Sequence, residues 1–355
     1  MACTAWQRPL ASWSSSFCWL SPWRRTAWPA GWRVGPMLDS QYSQTGALSA
    51  EETIVRSETR VRTYKPKGPL FEDILAHVAL VFVAITVLFP VVWIVSMSLD
   101  GRNISRPTTL NIIPPSPSLD AYKRVLTEPQ ANNVMFSTML KNSLVLSVGV
   151  SLVVVAFAVT AAYAFARFHF PGRKWGLFLF IAVLMLPSVA TLAPLFVLLS
   201  QIKIPGTGES VRTTLFGVGI AYTSGALPFA IWNLRGYIDT LPRELEESAL
   251  VDGASPNRAF FDVILPLIAP AIAITVLFGF MAAWTEFVMA WTFLNNPSRF
   301  TLAMGLNGMV GQYSSNTPWS DFAAMAILIT LPILALFFLL QRWIVSGLAV
   351  GAVKG

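Results

Sequence analysis

Residues 242–270, PRELEESALVDGASPNRAFFDVILPLIAP, form a charged insert between two long apolar runs of the chain. Glu244, Glu247 and Asp252 provide carboxylates that can form charge-assisted hydrogen bonds with Arg or Lys side chains. A membrane protein places such an insert in water on one side of the bilayer. The chemistry that these residue types favour is recognition of a soluble partner, and we predict no catalytic residue.

Start and stop signals predict two short helices in this insert. Thr240 is the expected N-cap of the first helix, and Pro242 is tolerated in a first turn. Gly253 suits the left-handed residue that ends a helix. The Ser255-Pro256 pair then restarts one, with serine as the cap and proline at the first helical position.

One face of the first helix is expected to contact the partner. Leu245, Ser248, Ala249 and Asp252 recur at three- and four-residue spacing, and most are small enough to lie deep in a groove. The alternative is a solvated connecting loop with ordinary caps, which the charges alone would favour. The complete spacing, with apolar runs on both sides, favours a docking element at residues 240–258.

The apolar runs predict an all-α membrane protein. The chain has 355 residues, of which 54% are hydrophobic and 12% charged, about half the usual charge of a soluble protein. Runs of 20 or so apolar residues cross the hydrocarbon core as helices, since lipid offers the backbone no hydrogen-bond partner. Six spans are predicted, at approximately residues 74–99, 140–167, 175–202, 213–235, 263–293 and 321–345. The uncharged run at residues 300–320 is rich in polar and small residues and is predicted to be a loop.

Lys and Arg favour the segments on one side of these spans, as in the turn Pro171-Gly172-Arg173-Lys174. By the positive-inside rule, both termini are then cytoplasmic. The net charge of +7 follows this topology and does not indicate nucleic-acid binding. Prolines within the spans predict kinks.

The N-terminal part divides at Met37. Residues 1–36 hold six of the 13 Trp and both Cys, and are predicted to be a non-native or disordered extension. The alternative is a genuine interfacial extension. Residues 37–70 are predicted to be a cytoplasmic tail and residues 71–355 the transmembrane domain. With no cysteine in that domain, neither a disulfide nor a thiolate metal site is expected there.

Two motifs carry a resemblance to a known family. The run Glu247-Ser248-Ala249, Gly253 and Val263-Ile264-Leu265-Pro266 resembles the cytoplasmic loop of ABC-importer permeases, with Ser248 and Val263 as departures. The ending Gly351-Ala352-Val353-Lys354-Gly355 resembles that of the smaller permease subunit of maltose-type carbohydrate importers. The resemblance covers approximately residues 75–355.

This resemblance implies a type I ABC-importer permease fold in a bacterial inner membrane. It implies a complex with a second permease, two ATPase subunits and an extracytoplasmic sugar-binding protein, within membrane lipid. The chain itself would bind no cofactor and no metal, because it lacks a Gly-Lys-Ser/Thr phosphate loop and ATP with Mg²⁺ would be held by the ATPases. The residues that would couple to an ATPase are Glu244, Glu247, Ser248, Ala249, Asp252, Gly253 and Pro266. The tail residues Gly351, Ala352, Val353, Lys354 and Gly355 would contact the ATPases as well.

A substrate pathway and an outer contact loop are also expected. Glu286 lies within the fifth predicted span, where an ionisable group indicates a functional site, or else pairs with a base such as Arg299. Further pathway candidates are Asn233, Tyr222, Thr223, Ser224 and Trp284. The loop residues expected to meet the binding protein are Gly305, Asn307, Gly308 and Gly311.

A disaccharide such as trehalose or maltose is the expected cargo. Two alternatives stay open: the same machine importing a non-sugar solute such as a polyamine, and a stand-alone secondary transporter. A polyamine pathway should carry several carboxylates, and a secondary transporter should carry paired repeats or a cluster of buried acids. Neither pattern is evident in the sequence.

Overall fold

A computed structural model describes residues 70–103, 112–130, 133–310 and 317–352. The chain divides into two compact units, residues 1–75 and 76–355. In the first unit the described residues form the beginning of a helix, and the expectations for residues 1–36 and 37–69 lie outside the described part. The second unit is built from helices, and the described residues contain isolated β-bridges but no sheet.

Twelve α-helical elements follow one another along the described chain. Their bounds are α1 Leu70–Ser98, α2 Asp120–Thr127, α3 Phe136–Arg167, α4 Arg173–Leu184, α5 Ser188–Gln201, α6 Leu215–Asp239, α7 Glu244–Val251, α8 Pro256–Leu267, α9 Ala269–Thr285, α10 Val288–Phe293, α11 Leu302–Gly308 and α12 Trp319–Ala352. Within α8, residues Ala259–Ile264 are π-helical.

Four helices, α1, α3, α6 and α12, are long and apolar enough to cross a membrane by themselves. The pairs α4–α5 and α8–α9 are bent by 105° and 72°, so the described part holds four candidate spans, or six if each bent pair is one span. Pro187 is the N-cap of α5, and Pro266 and Pro270 flank Ile268 at the second bend. Proline lacks the N–H that continues a helix, which explains breaks at these positions. The predicted all-α class is confirmed.

The predicted fifth span, residues 263–293, is not one helix. The chain leaves α9 at Thr285 and starts α10 at Val288, with Glu286 in extended backbone between them. The prediction of a loop at residues 300–320 is also wrong for α11. Thr301 caps that helix by accepting a hydrogen bond from the Met304 N–H, and Leu302 and Met304 are fully buried. Burial of these apolar side chains outweighs the small and polar residues around them.

The core lies where α3 packs against α6 and α9. Ala158, Ala162 and Ala166 recur every fourth residue on the buried face of α3. Ser151 donates a hydrogen bond of 3.0 Å to the carbonyl of Val276 in α9. Small residues let helix backbones approach closely, which supplies packing energy where lipid gives no hydrophobic drive.

At the end of the bundle opposite the insert, an ion pair joins two connecting segments. Arg299 pairs with Glu209, and it also donates a hydrogen bond of 2.9 Å to the carbonyl of Thr213. The Arg299 guanidinium, followed by the Thr213 hydroxyl, holds the pKa of the Glu209 carboxyl below its usual value. The pair thus fastens the segment before α6 to the segment after α10.

This pair predicts a pH-dependent stability. A carboxyl with a lowered native pKa stabilises the fold above its unfolded pKa of about 4.3, and that contribution is lost as pH falls through the native value. Glu209→Gln should therefore unfold at a lower temperature than the wild type at pH 7, and the two should converge at acidic pH. Thermal unfolding in detergent from pH 7 to 3 measures this. Glu128→Gln, at an exposed glutamate without an ion pair among the described residues, should show no such convergence.

Candidate functional site

The insert folds as two short helices joined at Gly253. Helix α7 ends there because Gly253 adopts a left-handed φ of 87°, and the Ala254 N–H donates to the carbonyl of Ala249 at 3.0 Å. Ser255 accepts a hydrogen bond of 3.4 Å from the Arg258 N–H, and Pro256 opens α8. The predicted helix end and restart are confirmed.

The predicted start of the first helix is wrong. Helix α6 continues to Asp239, and Thr240 follows as its C-cap, with the hydroxyl donating back to the carbonyl of Tyr237 at 2.7 Å. Helix α7 begins only at Glu244, and its N-cap, Arg243, makes no side-chain cap bond. Acidic residues in the first turn stabilise the helix start in place of a cap.

Glu246 anchors the insert to the membrane bundle. Its carboxylate forms an ion pair with Arg167, the last residue of α3, and accepts a hydrogen bond of 3.1 Å from the Tyr163 hydroxyl. Arg167 also donates to the carbonyl of Leu241 at 3.1 Å. Both charged side chains are largely buried, with 7% of Arg167 and 13% of Glu246 exposed. The anchor therefore ties α7 directly to the end of α3.

The outward face of α7 overlaps the predicted contact face, because Leu245, Ser248 and Asp252 of that face are exposed and Ala249 is not. Glu244, Glu247, Ser248 and Val251 are exposed, and Val251 retains 86% exposure. Ala249, expected to contact a partner, is half-buried beside the anchor side of the helix. Leu245 and Asp252 are exposed as well. The surface open to a partner thus combines carboxylates with an apolar side chain.

A groove of about 580 Å³ lies between the insert and the end of α3. Its lining includes Tyr163, Arg167, Glu246 and Leu250, together with Phe260 of the π-helical stretch. The Phe260 and Tyr163 rings are 4.7 Å apart. Pi-helical turns are rare and occur frequently at functional sites. Pro266 lies outside this groove and is exposed, two residues before the bend at Ile268.

Two of the pathway candidates bind one another. The Tyr222 hydroxyl donates a hydrogen bond to the Glu286 carboxylate. The same carboxylate caps α10, accepting bonds from the Met289 N–H at 2.8 Å and the Ala290 N–H at 3.2 Å. Glu286 therefore holds the break between α9 and α10 together. The alternative pairing with Arg299 is wrong, since Arg299 binds Glu209.

The remaining pathway candidates differ in how far they are buried and in what they bind. Asn233 donates to the Thr275 hydroxyl at 3.3 Å, which links α6 to α9. Ser224 is exposed and Thr223 half-exposed on α6, so their hydroxyl groups lie on an accessible part of that helix. Trp284 is only 1% exposed, stacks on Phe280 and donates to the carbonyl of Ile329 at 3.2 Å. Stacking of Trp284 on a sugar is therefore excluded in this conformation.

The burial of Trp284 predicts a large effect on stability. Trp284→Ala should destabilise the bundle by about 3–5 kcal/mol, because it opens a cavity and removes a hydrogen bond to α12. Trp291→Ala is the matched control, since this tryptophan is 47% exposed. Thermal unfolding of both variants in the same detergent compares them, and equal shifts would contradict the structural role of Trp284.

The residues predicted to form the binding-protein contact loop differ in burial, and most of the predicted tail contacts lie outside the described residues. Gly305 is buried in α11, where an added Cβ would lie only 2.4 Å from the Met139 sulfur, so this glycine serves packing. Asn307 and Gly308 are exposed at the end of the same helix. Gly311 lies outside the described residues, as do Val353, Lys354 and Gly355. Helix α12 extends to Ala352 and includes Gly351 in its last turn.

Comparison with known proteins gives a consistent family. A family model described as "Binding-protein-dependent transport system inner membrane component" matches residues 154–350. The galactooligosaccharides transport system permease protein GanQ of Bacillus subtilis (strain 168) is 35% identical over 284 residues, 79% of this chain and 95% of GanQ. The maltose/maltodextrin transport system permease protein MalG of Escherichia coli (strain K12) is 35% identical over 302 residues, 82% of this chain and 99% of MalG.

Solved structures share the fold. A chain of a bacterial ABC transporter involved in the import of the acidic polysaccharide alginate has a TM-score of 0.62 at 22% identity, over 79% of this chain and 98% of that one. A chain of the alginate transporter in complex with an alginate pentasaccharide-bound periplasmic protein has a TM-score of 0.57 at 17% identity, over 77% and 94%. At these identities the likeness concerns the fold alone.

Proposed function

From the premise that this chain belongs to the family of binding-protein-dependent transport system inner membrane components, we propose that it imports an uncharged disaccharide or short oligosaccharide. It is a multi-pass inner-membrane permease of the sugar ABC-importer type. In the proposed complex it forms the pathway with a second permease, receives sugar from an extracytoplasmic binding protein, and is driven by two ATPase subunits. Trehalose and maltose are the cargoes proposed first.

The observation that carries this proposal is the anchored helix α7. Its outward face presents Glu244, Glu247 and Val251 to a partner, while Glu246 on the opposite face is bound to Arg167. A partner that displaces α7 would therefore pull on the end of α3. Because α3 packs against α6 and α9, the displacement would reach the helices that carry the pathway candidates.

The ATPase is proposed to bind the outward face of α7 through both the carboxylates and the apolar side chain of that face. Carboxylates at the start of a helix suit Arg or Lys on a partner, and an exposed valine supplies apolar contact. Ala249 acts from within by letting α7 lie close to its own bundle. The tail residues Gly351 to Gly355 are proposed to contact the ATPases from the end of α12, and both termini then lie in the cytoplasm.

The cargo is proposed to be uncharged because the Glu286 carboxylate already has hydrogen-bond partners within the chain. Its carboxylate is occupied by the Tyr222 hydroxyl and by two backbone N–H groups of α10. A cation such as a polyamine would need a carboxylate that is available to it. Ser224 and Thr223 offer hydroxyl groups to a polyhydroxylated solute, whereas Tyr222, Asn233 and Glu286 would shape the pathway by holding the helices.

Uptake measurements test the proposal. A strain that lacks this gene, complemented with the chain, should accumulate labelled trehalose, maltose or a galactooligosaccharide but not labelled spermidine. The purified chain should also bring an ATPase subunit with it under gentle detergent. Uptake of spermidine alone would establish the polyamine alternative, and sugar uptake that needs no ATPase would establish a secondary transporter.

A further inference from the structure

A basic pocket lies at the end of the bundle that carries the insert. It has a volume of about 560 Å³ and lies between the turn joining α3 to α4 and the last turns of α6. Its principal lining residues are His169, Arg173, Lys174, Trp175, Leu177 and Arg235. We refer to these six residues as the basic pocket.

The cations of the basic pocket are only partly neutralised. Arg173 donates to the carbonyl of Phe165 at 2.8 Å, which satisfies the end of α3 without cancelling its charge. Arg235 pairs with Asp239 at 3.1 Å, and its buried Nε has no hydrogen-bond partner among the described residues. Lys174 forms no ion pair within the described part of the chain. The pocket therefore keeps a net positive charge and suits an anion.

The surface beside the pocket is suited to lipid. Trp175 is 78% exposed, and one helical turn further along α4 lie Phe178 at 61% and Leu179 at 59% exposure. Lys174 precedes Phe178 by the same turn. Lysine and tryptophan at the end of a span, followed by exposed apolar side chains, are typical of the boundary between headgroups and hydrocarbon.

We propose that the basic pocket binds the phosphate of an anionic phospholipid, whose acyl chains lie along Phe178 and Leu179. Basic pockets between transmembrane helices on the cytoplasmic side bind lipid headgroups of this kind. The apolar face of α4 distinguishes this ligand from free phosphate, which has no acyl chain to place there. The proposal rests on the proposed cytoplasmic placement of this end of the bundle, and it does not depend on the cargo or on the ATPase contact.

Native mass spectrometry of the full chain, purified from membranes, tests the proposal with added phosphatidylglycerol and phosphatidylcholine. The wild type should retain phosphatidylglycerol in preference to phosphatidylcholine. Lys174→Gln should weaken that retention about fivefold, since one Lys near the surface contributes about 1 kcal/mol. Lys174→Arg, which keeps the charge, should bind as the wild type does. Lys203→Gln, at an exposed lysine of the opposite end, is the matched control.

Three results would overturn the proposal. Unchanged retention of phosphatidylglycerol by Lys174→Gln would exclude the basic pocket as its site. An equal loss of phosphatidylglycerol in Lys203→Gln would show that retention depends on the overall charge of the chain and not on the basic pocket. Complete displacement of the lipid by inorganic phosphate alone would make the pocket a site for a soluble anion. Because Lys174 is exposed, its substitution should leave thermal unfolding unchanged, and the charge-retaining Lys174→Arg separates loss of binding from loss of fold.

Discussion

Arg167→Ala should reduce sugar uptake by at least tenfold. The substitution leaves the Glu246 carboxylate largely buried without its cation, which costs about 3–5 kcal/mol for a buried pair. It also removes the hydrogen bond to the carbonyl of Leu241. Helix α7 would then move without α3, so that ATP hydrolysis in the complex should continue while transport falls. Uptake and ATPase activity of the same preparation measure the two effects.

The matched control is Arg102→Ala at the opposite end of the bundle. Arg102 also pairs with a carboxylate, Asp100, at 2.7 Å, but 40% of its side chain is exposed. Exposed ion pairs contribute little to stability, so uptake should change little. The exchange of charges in Arg167→Glu with Glu246→Arg should restore part of the uptake lost by Arg167→Ala. Normal uptake in Arg167→Ala would show that the anchor does not transmit motion.

The anchor illustrates what sequence reasoning misses. The local signals were sufficient for the left-handed Gly253, for the Ser255 cap and for the four long helices, because each depends on neighbours in the chain. The pair of Arg167 and Glu246 joins residues 79 positions apart. A helical projection of α7 places Glu246 about 160° from Glu244, which was the one available signal that Glu246 faces inward.

The same reason explains why the sequence did not predict the surroundings of Glu286 and Trp284. Glu286 is the one charged residue of the run at residues 263–293, and composition does not distinguish a helix break there, where its carboxylate caps α10, from a continuous helix with one charge. Trp284 has the type and position of an interfacial or sugar-stacking residue, and only its packing against α12 shows that it is buried. Burial in a helical bundle depends on which helices meet, and hydropathy does not contain that information.

Gly253→Arg should abolish coupling while the chain still folds. The glycine has a φ of 87°, and a Cβ there would meet no atom within 4 Å, so the bundle has room for a side chain. The cost within the chain is the left-handed backbone, about 1–2 kcal/mol for a residue with a Cβ. The arginine would instead project from the end of α7, beside the carboxylates proposed to bind the ATPase. Uptake should therefore fall more than tenfold, with less ATPase retained on purification.

Gly206→Arg separates this docking effect from backbone strain. Gly206 has a φ of 90°, a Cβ added to it would likewise meet no atom within 4 Å, and it lies in the loop between α5 and α6 at the opposite end. Both variants should therefore lose similar thermal stability. Only Gly253→Arg should lose uptake and ATPase binding, because only that position adjoins the outward face of α7. Equal uptake in the two variants would place the ATPase contact elsewhere, whereas a stability loss confined to Gly253→Arg would make the turn a folding determinant and not a docking surface.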